Sequence, residues 1–307
     1  MTAQPFEIVA QGHPRLARMR AIFAERHRFA RDIVDRAAAA FGKLWADEAE
    51  DTLRVLLSDD EALASAVKGY GAFALDSMRR QARFEKDLAY PAKTYEEAAR
   101  EVYFNDEHMM GVYLPGLLLS HFLWPHHYRQ LQFFDTSFVA PMGVAGGDRF
   151  VEVGVGTGLY SRRLLQALPQ ATGHGLDISP SSQAYANQHL TAFGLGQRYQ
   201  VHLRDVADEA EASVSWLVCV EVLEHLEDPV AFLRMLRRTL APGGRAFITA
   251  ALDAANADHI YLYRTAEQVQ AHLEAAGFAL EQAFLGAAYK PVQAGAPVPL
   301  AAAFVVI

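Results

Sequence analysis

Glu152-Val-Gly154-Val-Gly156-Thr-Gly158 ends one short apolar run and begins a helical segment. Glycines at such a junction let the main chain approach a ligand closely. The first helical turn then offers free N–H groups to anionic or acceptor-rich chemistry. A dinucleotide-binding turn would carry G-x-G-x-x-G. Here the third glycine is Gly158 and position 159 is Leu, so the spacing opposes a nicotinamide cofactor. The plain competing reading is a tight strand-to-helix turn without a ligand.

Outward from that turn, short β runs at 149–154, 171–178, 198–203, 214–221 and 244–252 alternate with helical stretches near 158–168, 180–192, 228–240 and 264–276. Strands alternating with helices imply parallel pairing through right-handed crossovers, hence a doubly wound α/β sheet. Two further runs, 278–285 and 300–307, leave no room for a crossover helix and predict an antiparallel pair at one edge.

The first half has a different rhythm, rich in Ala, Leu, Arg and Glu and poor in β-branched residues, which predicts an all-α region. Pro14 suits the first position of a long helix reaching about Trp45. Ser58 is the expected cap of a second helix, and Thr94 with Glu97 forms a capping box for a third. Asn105 or Asp106 starts a fourth, with a break expected at Pro115-Gly116 and another at Pro125. The division expected is a helical lid or acceptor domain over 1–145 and a ligand-binding α/β domain over 146–307.

Acids recur at successive strand ends: Asp177 after the second run, Asp205-Val206 after the third, Glu221 after the fourth. Ligands in such sheets bind at the carboxyl edge, and a carboxylate at the second strand end reaches both hydroxyls of a ribose. Taken singly, each acid is an ordinary strand-end cap. Together with VLEHLEDP (222–229) and LAPGG (240–244), the set resembles the class I S-adenosylmethionine-dependent methyltransferases, over about half the chain. That resemblance implies a Rossmann-like seven-stranded sheet of order 3-2-1-4-5-7-6 with strand 7 antiparallel. It implies that Gly154, Gly156 and Gly158 line the methionine moiety, Asp177 the ribose, and Ile178, Asp205 and Val206 the adenine, with Glu152 a further cofactor-binding candidate. Glu221 belongs to the same edge, and Tyr128 is a candidate for the cofactor carboxylate. The helical half matches no named family.

Such a donor carries an activated methyl, and transfer is an in-line displacement in which positioning supplies much of the acceleration. A base is needed where the acceptor must lose a proton, and His225, His259 and His127 are the candidates. Glu221, Glu224, His225 and His259 also form a donor set suited to a divalent metal. A similar E-x-x-E-H pattern occurs in small-RNA 2′-O-methyltransferases and in ubiquinone-pathway O-methyltransferases. The bland reading is the ordinary turn after the fourth strand. Tyr261 and Tyr263 are candidates to face the acceptor, and the turn 290–299 either closes over the site or links the last two strands.

Composition narrows the partners. The chain has 307 residues, 51% hydrophobic, with a formal net charge of −8. An acidic chain without a basic tail is a poor partner for a phosphate backbone, so nucleic acid is not expected and an RNA acceptor is disfavoured. The single cysteine, Cys219, excludes a disulfide framework. No secretory signal or membrane-length apolar run is read, which predicts a cytoplasmic protein. The expected activity is methylation of oxygen or nitrogen on a small-molecule acceptor, with a noncatalytic S-adenosylmethionine-binding protein as the alternative. Exposed helix faces in the first half are compatible with a homodimer.

Overall fold

The computed structural model describes residues 12–291 and 295–307. Seven strands form one sheet: β1 Arg149–Val153, β2 Thr172–Asp177, β3 Tyr199–Leu203, β4 Val214–Cys219, β5 Leu240–Leu252, β6 Leu280–Ala287 and β7 Leu300–Val306. Their order is β3-β2-β1-β4-β5-β7-β6, as expected. β1 pairs in parallel with β2 and β4, whereas β7 runs antiparallel to both β5 and β6. Four of the five β1 residues are buried, because a parallel strand covered on both faces loses its polar alternation.

The helical half contains α1 Pro14–Arg26, α2 Ile33–Leu56, α3 Asp60–Asp87, α4 Tyr95–Glu101, α5 Leu114–Leu123, α6 Pro125–Phe134 and α7 Ala140–Val144. Between strands lie α8 Leu159–Ala167, α9 Pro180–Ala192, α10 Pro229–Thr239 and α11 Ala266–Ala275. Proline opens α9 and α10 while Ser179 and Asp228 cap them through side-chain oxygens, the pairing that satisfies a first helical turn.

Three boundaries differ from expectation. The helix from Pro14 stops at Arg26, where the His27 ring packs against α3 at Gly71 and a short 3-10 turn, Arg28–Ala30, redirects the chain. Asp59, not Ser58, caps α3, accepting from the Ala62 amide at 2.7 Å. No break occurs at Pro115. A π-helical turn over Met109–Tyr113 leads straight into α5, and the wider turn absorbs the hydrogen bond that proline cannot donate.

One hydrophobic cluster joins Trp45, Tyr70, Phe122 and Phe134 of the helical layer to Phe150, Trp216 and Phe247 of the sheet. A second, on the other face, packs Leu233 and Leu273 against Leu217, Ile248 and Phe304. The helical layer therefore has a wide apolar contact with one sheet face, and its remaining segments cross the carboxyl edge. No helix among the described residues is long and apolar enough to cross a membrane.

Candidate active site

The glycine turn leaves β1 with φ of 73° at Gly154, 54° at Gly156 and 76° at Gly158. Asp177 spans two turns: its carboxylate accepts from the Gly156 amide at 3.1 Å and the Ser179 amide at 2.8 Å. Burial raises the Asp177 pKa, and these amides oppose the rise. Glu152 lies deeper, bonded by the Ser161 hydroxyl, with the Tyr199 hydroxyl at 3.4 Å. Burial pushes its carboxyl up to about 8. It braces α8 and β3 under the turn. Asp205 accepts from the Ala207 amide at 2.8 Å and caps the 3-10 turn Val206–Asp208, with Val206 buried and Ile178 half-buried. Tyr95 of α4 is a residue that sequence reasoning missed. Its phenol pKa is raised by burial and by the charges of Asp205 and Asp177, so α4 covers this edge.

Next along the edge, Glu221 follows β4 with φ of 52°, a conformation strained for a side chain bearing a Cβ and frequent at functional sites. Its amide donates to Thr249 Oγ1 at 2.8 Å, and that hydroxyl donates back to Glu221 Oε1 at 2.7 Å. Glu224 is wholly buried, and neither of its carboxylate oxygens has a partner. Burial raises both glutamates, Glu224 further because the Glu221 charge faces it.

Two imidazoles meet Glu224, and their tautomers follow from carbonyl partners that can only accept. His259 Nδ1 donates to Ala254 O at 2.7 Å, and His225 Nδ1 donates to Asp258 O at 3.2 Å. Both therefore present Nε2 lone pairs, that of His259 with the Asn256 amide at 3.3 Å. Ligand atoms of Glu224, His225 and His259 all lie within 4.8 Å of one another. Glu221 stands outside that triad, engaged by Thr249.

Asp258 is a further residue whose role the sequence did not disclose. It is buried 3.5 Å from His225 Nδ1, and it accepts from Tyr103 at 3.0 Å and Tyr113 at 2.9 Å. Burial opposes its charge, yet the two imidazoles and two phenols hold its pKa below the usual carboxylate value. The tyrosines come from the helical half, so Asp258 fastens the cover while orienting His225.

A cavity of about 630 Å³ lies between the helical layer and this edge, with Glu221, Glu224, His225 and His259 on one side and Trp124, His126 and His127 on another. Its polar cluster adjoins the glycine turn: a Cβ on Gly154 would meet Val222 Cγ2 at 2.5 Å, and one on Gly156 would lie 3.6 Å from Leu117. His127 is thus placed in the cavity wall, its Nδ1 3.0 Å from Ser120 Oγ. Tyr128 is placed elsewhere. It is buried in the helical layer and donates to Glu48 at 2.8 Å, because successive residues on α6 point to different sides. Tyr261 and Tyr263 do not face the cavity either; Tyr263 donates toward or accepts from His272 Nδ1 at 2.9 Å. Of the turn 290–299, residues 292–294 lie outside the described residues, while Tyr289 and Pro299 line the cavity mouth.

Residues 151–246 match a family model described as a methyltransferase domain. The ubiquinone biosynthesis O-methyltransferase of Pseudomonas syringae pv. tomato is 33% identical over 104 residues, covering 34% of this chain and 44% of that one. Its counterpart in Xanthomonas euvesicatoria pv. vesicatoria is 34% identical over 104 residues, covering 34% and 43%. The matched region thus spans less than half the length of these relatives. Among solved structures, the (4+2)-cyclase SpnF aligns with a TM-score of 0.52 at 17% identity, over 71% of this chain and 98% of that one. Phosphoethanolamine N-methyltransferase 2 of Haemonchus contortus, solved with S-adenosyl-L-methionine, aligns at 0.51 and 14% identity, over 70% and 60%. These two share the fold, one of them named for a cyclisation, and fold alone does not decide a reaction. The glycine turn, the strand-end acids and the sheet order thus accompany a match to a methyltransferase domain over residues 151–246.

Proposed function

We propose that the protein transfers a methyl group from S-adenosylmethionine to an oxygen or nitrogen of a small molecule held in the cavity between its two halves. The observation that carries this reading is the cavity itself. It ends on a carboxylate and two lone-pair imidazoles, immediately beside a glycine turn with an acid clamped against it. The residues present fit the donor: the turn 154–158 leaves main chain open at Gly156, and Asp177 and Asp205 stand at the next two strand ends. When bound, S-adenosylmethionine supplies an electrophilic methyl on a sulfonium.

The chain's residues then have three tasks. The turn and Asp177 position the donor. The helical layer excludes water and fixes the acceptor's angle of approach. A proton on the attacking atom is taken at the lone-pair Nε2 of His225, whose other nitrogen is held by Asp258, or at the nearby Glu224 carboxylate. Both sit in a buried pocket where a retained proton would oppose attack on a cationic donor.

A second reading of the same cluster is favoured by one observation: both Glu224 oxygens are buried without partners, and ligand atoms of Glu224, His225 and His259 lie within 4.8 Å of one another. Buried carboxylates are ordinarily paired or ligated. Glu224, His225 and His259 fit a divalent cation, with Asp258 and the Ala254 carbonyl orienting the imidazoles from behind. Such an ion would supply a positive charge that lowers the pKa of an acceptor hydroxyl.

The test is calorimetric titration with S-adenosylmethionine, before and after chelation and with magnesium, manganese, iron or zinc restored. NADPH serves as the control. Micromolar binding that is lost in Asp177→Ala is expected. Absence of binding under every metal condition would remove the proposal. The cation reading falls separately if a chelated sample and a metal-supplemented one share the same melting temperature.

A further inference from the structure

The wall of the cavity opposite the carboxylate cluster has its own chemistry. Trp124 stacks with two rings, Phe73 at 5.7 Å and 23° and His126 at 5.8 Å and 12°. Tyr70, Tyr113 and Leu117 also line this side of the cavity, Tyr70 set edgewise to Trp124 and Tyr113 to Phe73. On the same side stands His127, and its hydrogen-bond partner decides which nitrogen it offers. Ser120 Oγ is 2.8 Å from the Leu117 carbonyl, which can only accept, so the single serine proton is spent there. The 3.0 Å contact between Ser120 Oγ and His127 Nδ1 therefore requires the imidazole to donate. His127 is left with its proton on Nδ1 and a bare lone pair on Nε2, which has no protein partner among the described residues.

We propose that His127 Nε2 is a specificity-determining acceptor, which selects a planar, largely apolar acceptor molecule carrying a hydroxyl or N–H group distinct from the one that is methylated. This rests on the reading of the cavity as the acceptor site. Burial, reinforced by the neighbouring His126 and His121, depresses the His127 pKa well below its ordinary value, so the ring stays neutral and the lone pair remains available. A guest without a donor leaves that nitrogen unsatisfied in an apolar wall, and such sites discriminate strongly against analogues lacking the matching group.

The probes are 2-naphthol and 2-methoxynaphthalene, alike in shape but differing in one donated proton, titrated calorimetrically into the full chain without S-adenosylmethionine. Wild type is expected to bind the naphthol about tenfold tighter than the ether. His127→Phe should erase that preference while still binding the ether, and Glu224→Gln should retain it. A preference that persists in His127→Phe, or that vanishes in Glu224→Gln alone, overturns the assignment. ¹⁵N-histidine NMR supplies a readout on the native protein, independent of any variant's folding: His127 should show the Nδ1–H tautomer, with Nε2 shifting on addition of 2-naphthol. An Nε2–H tautomer overturns it equally. These readouts need no methyl donor, so failure to bind S-adenosylmethionine would refute the transferase reading, whereas loss of the naphthol preference or the wrong tautomer would refute the His127 assignment itself.

Discussion

Gly156 and Gly158 lie two residues apart, both with positive φ, and alanine at each should fail for a different reason. At Gly156, φ is 54° and the nearest atom to an added Cβ is Leu117 Cδ2 at 3.6 Å, an ordinary contact. The cost is the left-handed backbone, roughly 1–2 kcal/mol, offset by up to about 1 kcal/mol of lost unfolded-state entropy. A net loss of about 1 kcal/mol corresponds to a fall of about 2–4 °C in melting temperature. At Gly158, φ is 76° and the added Cβ would meet Ala186 of α9 at Cβ 3.1 Å and Cα 3.3 Å. Neither can swing aside, so overpacking adds about 1–3 kcal/mol to the same backbone term. Gly158→Ala should thus lose about 2–4 kcal/mol, chiefly in folding. Gly156→Ala should fold almost normally yet bind S-adenosylmethionine at least about tenfold more weakly, because its methyl projects between the turn and the helical layer. Differential scanning fluorimetry and calorimetric titration read the two quantities separately. Wild-type affinity in Gly156→Ala, with a native melting temperature, would refute the placement of the donor along this turn.

Three other outcomes follow from the same geometry. Asp258→Ala strands the Tyr103 and Tyr113 hydroxyls and should cost about 2–4 kcal/mol in urea denaturation; adding Tyr103→Phe and Tyr113→Phe should recover part of it, and strict additivity would contradict the network. Arg163→Met removes the cation that bridges Glu48 at 3.0 Å and Asp135 at 2.6 Å; both acids are partly hydrated, so the loss should be nearer about 2 kcal/mol than the larger figure for a fully buried pair, and an unchanged urea midpoint would count against it. The histidine contribution to stability should fall with acid: burial depresses His121 to about 4, and His126 and His189 to about 3. Their folded pKa values lie below the unfolded value of about 6.5, so their contribution is intact above that pH. It is lost as pH falls toward 3–4, by up to about 1.4 kcal/mol per pH unit for each ring. Glu152 and Glu224, raised by burial, act in the opposite sense over the same interval. The check is therefore a comparison with His189→Gln, whose urea midpoint should fall less between about pH 7 and about pH 5.5 than that of the wild type; an identical pH dependence in the two would refute this.

Local signals carried far in the second half. Pro180 and Pro229 stand one residue past capping side chains, and the structure starts helices at both. The missing crossover between the last two β runs required antiparallel pairing, and β7 is antiparallel to its neighbours. In the helical half, periodicity identified helices but misjudged their ends. The stop at Arg26 depends on where α3 offers Gly71 to the His27 ring, a contact 44 residues away in the chain.

The sequence alone determined a doubly wound sheet with an antiparallel terminal pair and the candidate edge, since strand period, crossover length and glycine spacing are local properties; the strand order followed from the family resemblance. It also named Glu224, His225 and His259, though not that Glu221 would be held by Thr249 outside their triad. Tertiary structure alone decided that Asp258 fastens the helical cover, that Tyr128 belongs to Glu48, and that Ser120 dictates the His127 tautomer. The physical reason is that a hydrogen bond is sharply limited in distance and direction. Which residue meets which is therefore set by how helices from one half land on the sheet of the other, and no spacing within either segment encodes that landing by itself.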